Sequence, residues 1–327
     1  MSPPDMWAHA LVRPGQLSPT RIPRATLSPE GRGDALVRTV AGGICGSDAP
    51  FFLGAINRWS GDPVGPVRNA GFPMHEVVGE VVATRDTDLA VGQMVVGWAT
   101  RFDGIAEYVT TEASSLWAYD AALDPGHAVL IQPLACVIHA VDRLGSLTGA
   151  KCAVLGQGAV GMLFSSVLKA RGASSVTAVD RRDLASTASG LGVDAFVCAD
   201  TSEWTNDAAG TATFDVVIEA VGHQTLTLQH AINAAADGAR VFYFGVPDDP
   251  VYPIDMERMI RKHLTLMSGG TRDRRRMLKE AEDYLRERPE LATTLVSHRY
   301  PVDRVQEAYD LSFRSASDRL KVVVDMA

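Results

Sequence analysis

The sequence predicts an α/β chain of two domains, a β-rich first part and a second part built on a parallel sheet. Three observations carry this. Up to about residue 125, short apolar runs are broken by Gly, Pro and Asp. From Cys152 onward, apolar runs alternate with helical patterns. A glycine-rich loop stands where the first of those runs meets the first of those helices.

In the first part, residues 35–40, 77–83 and Met94–Trp98 read as strands. Between the first two lies a long irregular stretch, 51–72, with Gly54, Gly61, Pro63, Gly65, Pro66 and Gly71. Loops of this length are uncommon unless they serve a site. In the second part, 152–155 is a strand. Val160, Leu163, Phe164, Val167 and Leu168 then fall on one helix face. Strands follow at 176–179, Ala195–Cys198, 214–220, 240–244 and 264–267, with a helical segment near 184–191. Their continuous apolarity predicts a parallel sheet covered on both faces. Near the end, Met277, Leu278, Ala281 and Leu285 share a helix face, and 321–324 is a closing strand. Arg272, Arg274, Arg275 and Arg276 open that helix and read as a charged outer face.

The bulk numbers fit two domains. The chain has 327 residues, and domains run to roughly 100–200 residues each. Hydrophobic residues make up 46% and charged residues 21%, a globular balance. The net charge of -8 repels phosphate backbones and excludes nucleic acid as a partner. No run approaches the ~20 apolar residues that a membrane span needs. Residues 1–14 lack a basic start followed by an apolar run, so no secretory signal is expected. Cys45, Cys136, Cys152 and Cys198 are scattered without a CxxC pair, which points to a reducing cytoplasm.

Gly156-Gln157-Gly158-Ala159-Val160-Gly161 is GxGxxG, placed between a strand and a helix. That context gives the pattern its meaning: a Rossmann dinucleotide-binding loop. The first glycine permits the turn, the second lets the backbone approach a pyrophosphate, and the third lets helix and strand pack closely. The helix N-terminus offers unpaired N–H groups to the phosphates. Asp180 stands nineteen residues after Gly161, at the end of the second strand. A carboxylate there accepts from both ribose hydroxyls of NAD and repels the 2′-phosphate of NADP. Arg181 and Arg182 soften that repulsion, so NAD is expected over NADP.

Gly43-Ile44-Cys45-Gly46-Ser47-Asp48 and His75-Glu76 are the other notable features. Cys, His and Glu are zinc ligand types, and three protein ligands plus water make a catalytic zinc site. Cys45 and His75 are thirty residues apart, and spacing alone leaves a core cysteine and an unrelated histidine as the ordinary reading.

Taken together, GICGSD (43–48), HEVVGEV (75–81), DGIAEYV (103–109), QPLACVIHAVDRLG (132–145) and VLGQGAVGML (154–163) resemble the medium-chain dehydrogenase/reductase family, in its zinc-dependent alcohol and polyol dehydrogenase branch. The resemblance implies a GroES-like catalytic domain at 1–130, a Rossmann domain at 131–269 and a return to the catalytic domain at 270–327, with the active site in the cleft. It implies zinc on Cys45, His75 and Glu76, with Gln132 touching the metal or its water. It makes Asp48 the carboxylate that orients the ligand histidine, Ser47 the hydroxyl that passes the alcohol proton, and Lys321 a basic residue near the cofactor pyrophosphate. It also implies a homodimer or homotetramer.

Four departures from the family stand out. Pro50 replaces a histidine of the proton relay. Met74 replaces the glycine before the ligand histidine, where a side chain would shift the ligand or line the pocket. Gln132 replaces a glutamate. The four-cysteine structural zinc loop is missing, so one catalytic zinc and no structural zinc is expected. Phe51, Phe52, Trp59 and Trp98 are candidates to wall the pocket. The implied activity is zinc-dependent hydride transfer between NAD(H) and a secondary alcohol or ketone, on a polyol, sugar or cyclitol-like molecule. Two other readings stay open: a metal-free NAD(P)H-dependent reductase of an activated double bond or imine, and a catalytically silent cofactor-binding protein.

Overall fold

The structure, a computed structural model, describes residues 4–27, 33–54, 70–208, 213–247, 249–314 and 318–327. It forms two compact units, Met1–Ala135 with Asp273–Ala327, and Cys136–Arg272.

The first unit opens with β1 (Asp5–Arg13), β2 (Gln16–Pro23), β3 (Asp34–Ile44) and the short helix α1 (Ala49–Phe52). It continues through β4 (Glu76–Thr84), β5 (Met94–Trp98), β6 (Tyr108–Glu112), β7 (Leu116–Ala118) and α2 (Pro125–Ala128). Helix α3 (Ile131–Arg143) carries the chain into the second unit. There β8 (Lys151–Leu155), α4 (Ala159–Ala170), β9 (Ser175–Asp180), α5 (Ala185–Ser189), β10 (Ala195–Cys198), α6 (Thr201–Ala208), β11 (Phe214–Glu219), α7 (Thr227–Ala234), β12 (Ala235–Tyr243), α8 (Met256–Arg261) and β13 (Thr265–Ser268) follow. The chain returns with α9 (Arg274–Glu287), α10 (Glu290–Leu295), β14 (Val296–Pro301), α11 (Val305–Phe313) and β15 (Lys321–Asp325).

In the first unit the main sheet runs β14-β15-β3-β4-β5-β7, with β6 paired to β3. β3 is buried on both faces along most of its length, which its apolar and small residues allow. β1 and β2 form a separate antiparallel hairpin. Met6, Ala8 and Ala10 alternate inward along it, and Gly15 takes the positive φ of +74° in its turn. The expected face of α9 is buried. Its arginines do more than face water. Arg275 pairs with Asp86 at 3.1 Å and Asp88 at 2.5 Å, and donates to the carbonyls of Ala113 and Leu116. Arg274 lies over the Trp98 ring. The run therefore pins α9 to the segments around β5 and β7.

The second unit is a parallel sheet in the order β10-β9-β8-β11-β12-β13. Val154, Val176, Val217 and Val241 are fully buried in it. Each such side chain contributes about 1.5–3 kcal/mol. The sequential order reverses between β8 and β11, so a switch point opens beyond their carboxyl ends. The GxGxxG loop lies there, because α4 begins directly after it and its apolar face covers the sheet. Among the described residues no helix is long and apolar enough to cross a membrane.

Candidate metal centre and dinucleotide loop

Cys45 directly follows β3, and His75 directly precedes β4. The antiparallel register sets Gly43 against Glu76, so all three residues arrive at one end of the strand pair. A ligand atom from each of Cys45, His75 and Glu76 lies within 4.8 Å of the other two. Among the described residues this is the one cluster of three or more Cys, His, Asp or Glu side chains so placed.

The residues around it orient the donors. Asp48 is fully buried; its Oδ1 is 2.8 Å from His75 Nδ1, and its Oδ2 accepts the Cys45 N–H at 2.9 Å. With His75 Nδ1–H donating to Asp48, the usual second partner of a metal-binding histidine, Nε2 is left to face a metal. Burial pushes the His75 imidazolium down. The Asp48 charge and hydrogen bond, with help from Cys45, outweigh it and hold the pKa well above the ordinary value. Burial pushes the Asp48 carboxyl up against the opposing pull of His75.

Glu76 is fully buried, and its Oε1 has no hydrogen-bond partner. A buried carboxylate oxygen without a partner is costly, and a cation beside it removes the cost. Its Oε2 is ion-paired with the Lys321 ammonium. A thiolate, an imidazole and a carboxylate at this spacing fit zinc, which binds sulfur at about 2.3 Å and nitrogen or oxygen at about 2.0–2.2 Å.

Phe102 lies beside His75, ring centroids 5.1 Å apart, and Phe51 packs on Phe102 at 5.5 Å. Phe51 thus remains a candidate wall of the site. Phe52 does not: it is buried in the core against Tyr309 and Phe313. Trp98 turns toward Arg274. Trp59 lies outside the described residues. Met74 packs into the core of the first unit. It is fully buried against the bare Cα of Gly42, which has room for it because it carries no side chain. Ser47 is half-buried in the turn after Cys45, and Pro50 lies in α1. Gln132 is buried in the first turn of α3.

Asp103 follows Phe102, whose φ is +59°. Its Oδ1 is buried without a partner, and burial pushes its pKa up to about 6. An acid whose folded pKa lies above its unfolded value favours the fold below the unfolded pKa. That contribution is lost as pH rises through the folded one. Over a window from about pH 4 to 6, Asp103 should therefore cost up to about 3 kcal/mol. Asp103→Asn should recover about 1–3 kcal/mol at pH 7.5 and flatten stability across that window. Urea denaturation at several pH values checks this, and an unchanged pH profile would refute it.

In the second unit, the three loop glycines have separate duties. A Cβ on Gly161 would overlap the Gly156 carbonyl oxygen, so that glycine serves helix–strand packing. Gly156 has φ +87° and sits against the backbone of Ala220 and Val221. A Cβ on Gly158 would meet nothing within 4 Å, so this backbone faces open space at the start of α4. Ala159, Val160 and Gly161 form the first turn, whose N–H groups have no acceptor further back in the helix. Open space bounded by those donors fits a pyrophosphate. Gln157 does not face it: its side chain is fully buried, hydrogen-bonded to Gly156 O and Ser165. The Gln157 N–H instead donates to Asp180 at 2.7 Å. Burial would raise the Asp180 carboxyl, but hydrogen bonds from Arg182 and Gln157 hold it below its usual range.

Residues 31–121 match the alcohol dehydrogenase GroES-like domain, and residues 159–286 match the zinc-binding dehydrogenase domain. The chain belongs to the zinc-type medium-chain dehydrogenase/reductase family. Over 210 residues it is 28% identical to an L-threonine 3-dehydrogenase of Bacillus velezensis, covering 63% of this chain and 60% of that one. A second L-threonine 3-dehydrogenase, from Symbiobacterium thermophilum, is 26% identical over 93% of both chains. An alcohol dehydrogenase of Escherichia coli CFT073, solved with NADH, superposes with a TM-score of 0.80 over 100% of both chains at 20% identity. The chain is accordingly a dehydrogenase of the alcohol and polyol type, with zinc and a nicotinamide cofactor.

Lys321, expected to serve the cofactor pyrophosphate, has partners within the metal-ligand cluster that the sequence does not show. Its ammonium is buried, paired with Glu76 and donating to Ile44 O at 3.1 Å. The cause is register. β15 pairs with β3, Val322 opposite Ile44, and Gly43 leaves the room that Lys321 and Glu76 fill. One residue beside the cluster carries no signal in the sequence, and a second, at the end of the fourth Rossmann strand, reads there only as a weak candidate for cofactor contact. Tyr309 is fully buried and donates to Pro73 O at 3.0 Å, bracing the segment before His75. Glu219 is buried at the end of β11, where its Oε1 accepts the N–H groups of Val221 and Gly222. Burial raises its pKa against those bonds. Its place as a carboxylate ending a buried strand is readable in the sequence; its bonds to the following turn are not.

Proposed function

We propose that this dehydrogenase transfers hydride between NAD(H) and a secondary alcohol or its ketone, on a polyol, sugar or cyclitol-like substrate. The observation that carries it is the Cys45, His75 and Glu76 cluster with Asp48 behind it. L-Threonine 3-dehydrogenases among the relatives support a secondary alcohol carbon as the reacting centre.

Cys45, His75 and Glu76 would hold zinc, with Gln132 the further candidate from α3. Bound zinc supplies a Lewis acid that lowers the pKa of an alcohol hydroxyl. Cys45 and Glu76 balance its charge, and Asp48 balances any proton on His75. Ser47 Oγ takes the hydroxyl proton in this reading. Pro50 carries no titratable group, so the proton continues to water. Phe102 and Phe51 keep bulk water from the His75 side. Bound nicotinamide supplies the hydride acceptor. The Gly158 backbone and the first turn of α4 would seat its pyrophosphate, with Arg181 and Asp180 on the ribose side. A carboxylate at the Asp180 position, at the ribose end of the loop, supports NAD as one cofactor of the site.

A homodimer or homotetramer is proposed with this reading. Leu266 on the edge strand β13, and Met256 and Ile260 on α8, leave apolar surface exposed, which supports it. Four free cysteines support a reducing compartment, the cytoplasm.

Elemental analysis of tag-free protein purified without chelators tests the proposal, followed by NAD reduction on a panel of polyols and cyclitols. About one zinc per chain is expected. Folded protein that lacks zinc, or activity that survives a chelator, would transfer the case to a metal-free reductase.

A further inference from the structure

The Asp180 carboxylate would meet the ribose of a bound dinucleotide, but the protein itself already engages it. Oδ2 accepts the Gln157 N–H at 2.7 Å and Arg182 Nη2 at 3.3 Å. Oδ1 accepts the Arg182 backbone N–H at 2.9 Å and Arg182 Nε at 3.2 Å. A carboxylate offers about four acceptor directions, and here all are in use. Arg182 Nη2 also donates to the Gln157 carbonyl at 3.1 Å. The guanidinium therefore bridges the end of β9 and the glycine loop, with its side chain 20% exposed. Arg181 is exposed, and its charge acts on Asp200.

A bare carboxylate selects NAD twice over: it accepts the 2′-hydroxyl and repels a 2′-phosphate. Here both effects are blunted. The hydroxyl finds an acceptor only if Arg182 moves, and the charge facing the ligand is that of a contact ion pair. A phosphate offers a guanidinium a stronger, bidentate partner than a neutral hydroxyl does. To reach it, Arg182 exchanges its bonds to Asp180 and to the Gln157 carbonyl for the phosphate oxygens. We propose that Arg182 sets cofactor choice, so that the site accepts NADP with an affinity comparable to NAD. This rests on the dinucleotide reading of the glycine loop.

The test uses ADP-ribose and 2′-phospho-ADP-ribose, which lack the nicotinamide and need neither metal nor alcohol. Calorimetry on the full chain should show wild type binding both within about tenfold. Arg182→Ala and Arg182→Gln should weaken 2′-phospho-ADP-ribose by about thirtyfold while changing ADP-ribose less than about threefold. Two variants guard against one failing to fold. A wild-type preference for ADP-ribose above about thirtyfold, or a ratio unchanged in the folded variants, overturns the proposal and leaves the dinucleotide reading intact. Failure to bind either probe removes both.

Discussion

Cys45→Ser is expected to strip the metal and reduce kcat by about 10³-fold or more, with the fold retained. The reasoning is local. The Cys45 side chain enters the ligand cluster, whereas its backbone N–H ties the turn to Asp48 at 2.9 Å. Serine keeps the second contact and loses the first. A hydroxyl is a far poorer zinc ligand than a thiolate at neutral pH. Losing the Lewis acid removes several kcal/mol of transition-state stabilisation, and each 1.36 kcal/mol is about tenfold. Zinc content and turnover should fall together, while circular dichroism stays as in wild type. A folded variant that turns over at the wild-type rate would remove Cys45 from the mechanism.

The second large effect is a contrast within the glycine loop. Gly158→Ala should leave the melting temperature nearly unchanged and weaken NAD binding by about 10–100-fold. The new methyl meets no protein atom and projects toward the space assigned to the pyrophosphate. Gly161→Ala should act the other way. Its methyl overlaps the Gly156 carbonyl, a backbone atom that cannot rotate aside. Overpacking of this kind costs about 1–3 kcal/mol, or several degrees of melting temperature in a domain of this size. Differential scanning fluorimetry beside cofactor fluorescence separates the two. Wild-type NAD affinity in Gly158→Ala would take the loop out of phosphate binding.

Much of the second unit was legible because its signals are local. A buried parallel strand is an apolar run, and β8, β9, β10 and β11 fall within a residue or so of the expected ranges. β12 begins earlier than expected, at Ala235, because Asp237 and Gly238 break the apolar pattern inside it. The β1–β2 hairpin was missed although Pro14-Gly15 marks its turn. The Met6, Ala8 and Ala10 alternation is weak in hydrophobicity, and β2 carries Pro19 and Pro23.

The candidate metal centre was legible only through resemblance. Its members lie on the loop after β3, the start of β4 and the start of β15, and sheet register alone brings them together. Periodicity carries no information about which strand a segment will pair with. The partner of Lys321, nearly 250 residues earlier in the chain, therefore had no local signal. The same holds for Asp180. Its place was readable, but the full occupation of its lone pairs depends on the Arg182 rotamer and the turn of the loop.

β15 lies between β14 and β3, the strand that leads into Cys45. β15 thus completes a sheet whose strands β3 to β7 precede the whole Rossmann unit in the chain. During synthesis that unit can collapse on contacts of short sequence separation while the ribosome is still at work. The sheet that carries Cys45, His75 and Glu76 must wait for β15, with β3 exposing an unpaired edge in the meantime. Folding of the first unit is therefore completed after that of the second, and its window of aggregation risk stays open until β15 has emerged.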